Sequence, residues 1–342
     1  MSSEEADATR GRIALLAILV ALVSVVALVG MTAAAGIQLG AQLPAAAGTT
    51  PAAAAPGSTA PAVSTPPAVS TPPPASNIGM YAGLGTWIDI YDASAWNHPK
   101  RTVKSMHAHG VRTIYLQTSN FSRTRAIMFR KPTDRIINIA HHLGMKVVAW
   151  YLPGLKTPDV DFQRAMAAIN LTTKSGGSFD SFGLDIESAI VQPPSERTSR
   201  LLALSARLRA TVGPNYRLGA IIPSPRGMQK HPGYWPDFPY QQLQASYDVF
   251  LPMTYFTYRV SGLAGARRYT TMNINITRRE TGNPDVPIHI IGGISNDATT
   301  SETRGFVQAV LRSHVWGASY YGFVGTTRGQ WKQLRRVPVP SG

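Results

Sequence analysis

From about Met80 onward the chain alternates, eight times over, between a short apolar run of strand character and a longer run with helical periodicity. The strand runs are Gly83–Ile90, Val111–Thr118, Met145–Leu152, Phe182–Glu187, Tyr216–Pro223, Val249–Tyr255, Val286–Ile294 and Ala318–Val324. They are rich in Val, Ile and Tyr, as parallel strands buried on both faces are. Between them, Ile136, Ile137, Ala140 and Leu143 share one helix face that Gly144 brings to a stop. Leu201, Leu204 and Leu208 do the same ahead of Gly213, and Thr299-x-x-Glu302 has the form of a capping box before Phe306, Val307, Val310 and Leu311. Eight such units in about 260 residues predict the α/β class and a (β/α)8 TIM barrel over residues 79–342. A doubly wound sheet is the other way to arrange these units. Its glycine-rich turn after the first strand is missing, since that place holds Asp89-Ile90-Tyr91-Asp92-Ala93-Ser94.

The barrel has a long preface. Residues 13–30, IALLAILVALVSVVALVG, carry no charge; that length approaches the ~20 residues that span a bilayer and exceeds the roughly 7–15 of a signal-peptide core. Arg10 and Arg12 precede the run, and the next basic residue is Lys100. The positive-inside rule then predicts a cytoplasmic N-terminus (1–12), a single-pass signal anchor in the cell membrane (13–31) and an extracellular remainder. Cleavage near Thr32-Ala33-Ala34-Ala35, giving a secreted protein, is the alternative. Residues 32–78 carry no charge, and PAVSTP occurs twice in tandem at 61–66 and 67–72. This composition cannot bury a core and reads as a disordered Ala/Pro/Ser/Thr linker.

The chain has no cysteine, which excludes disulfides, zinc–thiolate clusters, a cysteine nucleophile and lipid attachment through a thiol. Its formal net charge is +15, and beyond residue 12 there are 31 basic against 15 acidic residues. Such a surface suits anionic partners, wall polymers or phospholipid headgroups among them. No nucleic-acid module accompanies it, so nucleic acid is not expected as a partner. Many bases fall on predicted helices (Arg197, Arg200, Arg207, Arg209, Arg278, Arg279, Arg335, Arg336), where a solvated face accounts for them.

A barrel of this kind carries its active site at the C-terminal ends of its strands. Asp185 and Glu187, two apart on the fourth strand, leave the same face. Glu187 is the candidate general acid, with Asp185 beside it raising its pKa by like-charge repulsion. Asp89, at the end of the first strand, is a third candidate catalytic carboxylate, or else a cap on the following helix. Candidate substrate-binding residues are Tyr255, Trp87, Asp92, Gln117, Asn120, Trp150, Tyr151, Arg226 and Tyr320. Ser224, Met253, Tyr258, Asn296, Asp297 and Tyr321 complete the strand ends. Acids, amides and aromatic rings together suit a polysaccharide: rings cover the apolar sugar faces, amides and acids bond the hydroxyls, and a paired acid cleaves. Gly292-Gly293 reads as a tight backbone approach. The loop Tyr234-Trp235-Pro236-Asp237-Phe238-Pro239-Tyr240 is either a cleft wall or a hydrophobic lid. The histidines lack HExxH spacing, and no metal or cofactor is expected. A monomer is expected.

These strand ends resemble glycoside hydrolase family 18, the chitinase-like barrels. The family's D-x-x-D-x-D-x-E corresponds to Asp180-Ser181-Phe182-Gly183-Leu184-Asp185-Ile186-Glu187, with glycine at the second acid. Its M-x-Y-D corresponds to Met253-Thr254-Tyr255-Phe256, with phenylalanine at the acid. The resemblance implies that Glu187 donates the proton, Asp185 orients an N-acetyl group and Tyr255 bonds that group's oxygen. The acid pair together with Asp89 is also similar, more distantly, to the family 25 lysozyme-type barrels. The wider run through Gly85-Thr86-Trp87-Ile88-Asp89 and Val148-Ala149-Trp150-Tyr151-Leu152-Pro153 looks like uncharacterised exported actinobacterial barrels of glycoside-hydrolase type. The expectation is an extracytoplasmic glycoside hydrolase acting on a wall or extracellular polysaccharide, such as peptidoglycan or another N-acetyl-hexosamine polymer. A non-catalytic carbohydrate-binding barrel, favoured by Gly183 and Phe256, stays open beside it.

Overall fold

The computed structural model describes residues 78–340. The predicted anchor and nearly all of the predicted linker lie outside the described residues. Among the described residues no helix is long and apolar enough to cross a membrane.

All eight predicted strands form, as β1 (Gly83–Ile88), β2 (Thr113–Asn120), β3 (Lys146–Leu152), β4 (Ser181–Asp185), β5 (Leu218–Ile222), β6 (Val249–Pro252), β7 (His289–Ile294) and β8 (Gly317–Tyr321). They lie in the order β6-β5-β4-β3-β2-β1-β8-β7, every pair parallel. The ring closes between β6 and β7, where Phe250 N–H donates to Pro287 O, Thr254 N–H to Ile291 O and Tyr255 N–H to Gly292 O, each within 3.0 Å.

The helices are α1 (Ala93–Asn97), α2 (Pro99–Ala108), α3 (Arg130–His142), α4 (Pro158–Ile169), α5 (Pro194–Val212), α6 (Pro225–Lys230), α7 (Tyr240–Leu243), α8 (Gly262–Thr281), α9 (Thr300–Ser313) and α10 (Arg328–Leu334). Their punctuation is the one the sequence announces. Gly144 and Gly213 take φ of 72° and 74° just beyond α3 and α5, a region that glycine enters without steric penalty. Thr299 and Glu302 form the reciprocal capping box of α9.

The core falls into two layers. Leu84, Ile88, Ile114, Leu116, Val147, Ala149, Phe182, Leu184, Ala220 and Phe250 point outward into the layer under the helices. Trp87, Tyr115, Val148, Trp150, Ile221, Val249, Leu251, Met253 and Ile291 fill the barrel itself. The interior is thus packed side chain on side chain, as in other barrels of this class. Glycines admit the large rings. A Cβ on Gly85 would stand 2.6 Å from Tyr115, and one on Gly292 or Gly293 would strike Tyr320 or Phe256.

Acids tie the N-terminal ends of the strands together. Asp180 accepts from Val147 N–H, Lys146 Nζ and the His141 ring, which joins β4 to β3 and α3. Asp248 accepts from Arg209, Arg217 and the Leu218 amide, joining β6 to β5 and α5. The first acid of the D-x-x-D-x-D-x-E stretch is therefore a structural staple at the end of the barrel away from the mouth.

Candidate active site at the barrel mouth

Strand parity decides which side chains reach the mouth. Along β4, Phe182, Leu184 and Ile186 point out to the helices, while Ser181 bonds Tyr81 inside the barrel. Gly183, Asp185 and Glu187 take the inward parity. The Ile186 amide donates to Ile221 O at 2.7 Å, so pairing to β5 continues beyond Asp185 and holds Glu187 at the rim.

Asp185 is 4% exposed, and its Oδ1 has no hydrogen-bond partner. Burial, then the charge of Glu187, holds its carboxyl well above the usual carboxylate range. Burial lifts Glu187 from 4.5 to about 7. The two carboxyls share their mutual repulsion, and burial is the larger cause of the rise in each. Among the described residues no arginine or lysine lies within 4 Å of either acid. Both carboxyls are pushed above the usual range, and among the described residues neither is consumed by a structural ion pair.

Asp89 completes the acid set from β1. Its Oδ2 accepts from Tyr321 Oη at 2.7 Å and its Oδ1 from Tyr91 N–H at 2.6 Å. Burial raises its pKa while these bonds oppose the rise. Tyr255 faces all three acids: after burial, the charges of Glu187, Asp185 and Asp89 are what push its phenol upward. Its ring stands edge-on to Tyr321 at 5.9 Å, and its backbone sits at φ 28°. A tyrosine in that left-handed region is strained, and such strain gathers at functional sites. The segment following Tyr255 turns away. Phe256 is fully buried against Phe306 and Tyr320, so the position where the family carries an acid belongs to the helix-facing layer.

The other candidates divide. Trp87 and Trp150 are inward and packed together edge to face. Trp87 Nε1 donates to Ser319 Oγ at 2.8 Å, while Trp150 Nε1 is buried without a partner. Asp92 caps α1 by accepting from Ala95 N–H, and burial raises it to about 6. Gln117 Oε1 accepts from Ile90 N–H at 2.9 Å, fixing the end of β1 rather than reaching outward. Asn120 donates to the Tyr91 hydroxyl and accepts from Ser122, so it shapes the β2 loop at the rim.

Three expected substrate contacts do not face the acids. Tyr151 has the parity opposite to Trp150, lies in the helix-facing layer and donates to Asp161 of α4 at 2.6 Å. Tyr320 is likewise outward and donates to Thr303 of α9; its neighbour Tyr321 takes the mouth. Arg226 lies in α6, where its guanidinium reaches only Gln229. Ser224 caps that helix and bonds Tyr269 and Asn273.

The loop after β5 serves mainly as a lid over the outer layer. Trp235 donates to Thr198 and lies under the Arg197 guanidinium at 4.1 Å. Tyr234 alone reaches the site, its hydroxyl donating to the Glu187 carbonyl. Ser319 and Tyr234 are the two contacts that strand-end reading passes over, since neither residue lies at the C-terminal tip of a strand. Around the rim, Tyr91, Phe121, Ile190, Tyr258 and Val324 are exposed on the loops that follow β1, β2, β4, β6 and β8.

The sequence matches no protein-family profile and no curated protein. The coordinates are similar to several solved structures. A family 18 chitinase from Cycas revoluta, in complex with (GlcNAc)3, shares 11% identity at a TM-score of 0.56, over 75% of this chain and 99% of its own. The spore cortex-lytic enzyme of Bacillus cereus shares 8% at 0.57, over 76% and 75%. An endo-1,4-β-D-mannanase from Thermotoga petrophila shares 10% at 0.55, over 70% and 88%. At these identities the likeness concerns architecture alone, and the fold of the described residues is a (β/α)8 barrel.

Proposed function

We propose that the protein is a glycoside hydrolase that works outside the cytoplasm on a wall or extracellular polysaccharide. The observation that carries this reading is the acid pair at the end of β4: Asp185 buried with a free Oδ1, Glu187 beside it at the rim with a carboxyl near pKa 7, and, among the described residues, no cation on either.

Glu187 donates its proton to the glycosidic oxygen as the bond to the sugar carbon breaks, then takes a proton from the incoming water. A pKa close to the working pH serves both half-steps. Asp185, its carboxyl pushed upward by burial and by the charge of Glu187, shares a hydrogen bond with a polar group of the bound sugar. On the family 18 resemblance that group is the N-acetyl function, and Tyr255 binds its oxygen. The exposed rings of Tyr91, Phe121 and Tyr258 supply apolar faces for neighbouring sugars. The chitinase was solved with (GlcNAc)3 and another neighbour is named for spore-cortex lysis; both favour a polymer of N-acetyl-hexosamines. The apolar run at 13–30 and the charge-free linker support a membrane-tethered barrel on the extracellular side.

Labelled peptidoglycan and chitin fragments test the reading. The wild type releases label, and Glu187→Gln lowers the rate at least about a hundredfold while still binding. Equal binding by both proteins with no cleavage by either establishes the second reading, a carbohydrate-binding barrel. That reading is favoured by Gly183: a Cβ there stands 3.0 Å from Ile221 Cδ1, so the family's second acid would enter beside an apolar side chain that must shift to admit it.

A further inference from the structure

On the helical wall, α8 and α9 pack directly together, and a groove of about 490 Å³ runs between them. Arg267, Thr271, Asn275 and Arg278 line it from one face of α8, while Arg312 and His314 close it from the end of α9. Arg268 flanks it. Along α8 the lining extends over about 16 Å at 1.5 Å per residue. Arg278 is pinned in place by donating Nη2–H to Ser313 O at 2.7 Å, and its Nε is buried without a partner.

Among the described residues no carboxylate lies within 4 Å of Arg267, Arg268, Arg278, Arg312 or His314. Asp285 reaches Arg278 only through its longer-range field. Elsewhere on the surface Arg130, Arg200, Arg207 and Arg279 each have an acid at 2.9 Å or closer, while the exposed Arg101, Arg112, Arg135 and Arg304 have none, so what sets the groove apart is convergence. A solvated helix face accounts for scattered arginines, but not for four of them converging on one concave trough with their charge unanswered. Hydroxyl and amide donors, Thr271 and Asn275, are interleaved with the cations, a mixture that suits the two non-bridging oxygens and single charge of each phosphodiester group.

We propose that this groove binds the phosphate groups of a soluble phosphodiester polymer, at a site separate from the barrel mouth. A trough some three helical turns long accepts successive phosphates of a thin chain. A flat bilayer would instead engage side chains that protrude. The proposal does not rest on the hydrolase reading.

Titration with poly(glycerol phosphate), beside phosphatidylglycerol and phosphatidylcholine vesicles, tests it. The wild type binds the soluble polymer, with log K falling linearly in log salt concentration as counterions are released. The exposed double reversal R268E/R312E weakens binding at least about tenfold, the milder R268Q/R312Q falls between, and glycan binding and cleavage at the mouth stay as in the wild type. Reversal of exposed lysines elsewhere, K104E/K131E, leaves polymer binding within about twofold. Equal loss in the lysine control means that net charge alone attracts the polymer, and the groove assignment is overturned. Binding to phosphatidylglycerol vesicles with none to the polymer overturns the polymer in favour of a lipid surface, and no binding to either overturns the site. The wild-type melting temperature in both glutamine replacements separates lost contacts from lost fold.

Discussion

Tyr321 donates its phenolic hydrogen to Asp89 Oδ2 at 2.7 Å, and through that bond β8 sets the orientation of an acid at the end of β1. The partners are 232 residues apart in the chain and meet only because the barrel closes. Tyr255 then packs edge-on against Tyr321, and both tyrosines lie within the field of Asp89 and Glu187, Tyr255 within that of Asp185 as well.

Removing the hydroxyl with Tyr321→Phe leaves Asp89 with burial less opposed. Its pKa, already raised, rises further, because the lost bond had been lowering it. The expected outcome is a fall in kcat/KM of about tenfold, an Asp89 resonance that titrates at higher pH by NMR, and a stability loss of about 1–3 kcal/mol. An unchanged titration of Asp89 counts against the orienting role.

The elevated Glu187 carboxyl has a consequence for stability whose sign is fixed. Folding raises its pKa from 4.5 to about 7, so the folded state holds more protons than the unfolded one between those values. Stability is therefore full below about pH 4.5 and lost as pH rises through 7. Glu187→Gln removes that dependence. The variant should melt higher than the wild type at pH 8, by on the order of 1–3 kcal/mol, and no higher at pH 4. A wild type equally stable at both pH values, relative to the variant, contradicts the assigned burial. Activity has the matching limb, declining above pH 7 as the acid loses its proton.

Restoring the family's second acid by Gly183→Asp puts a side chain 3.0 Å from Ile221 Cδ1 and a carboxylate into an apolar interior. The loss should be about 2–5 kcal/mol, read by chemical denaturation. Making room with Ile221→Ala in the same chain should recover part of it, the double variant being more stable than the sum of the two changes. Strict additivity would show that crowding is not what excludes an acid there.

At the opposite end of the barrel, Asp248→Asn leaves Arg217, which is 4% exposed, and Arg209 without their anion. Breaking a buried pair on one side leaves an uncompensated charge, at about 3 kcal/mol or more. Because this staple lies at the strand N-termini, the variant should melt early yet keep wild-type glycan turnover per folded molecule at low temperature. A large loss of turnover there would mean that the two ends of the barrel are coupled.

Much of this architecture was legible in the chain. The eight apolar runs, the glycine stops and the Thr299–Glu302 capping box are local signals, set by hydrogen-bond geometry within a few residues, and each appears where the pattern put it. The pairing of Asp185 with Glu187 on one face is equally local, since residues two apart on a strand share a side whatever the fold around them. Which face of a strand buried on both sides looks inward is not local. Val147–Tyr151 is apolar at every position, and in Ala318–Tyr321 only Ser319 is not, so no alternation marks the lumen along these runs, and Tyr151 and Tyr320 turn to the helices while Trp150 and Tyr321 take the interior. That choice depends on register against neighbouring strands and on ring closure. The same closure brings Tyr321 to Asp89 and Ile221 into the space beside Gly183, contacts that arise from packing between distant strands and leave no trace in the sequence around either residue.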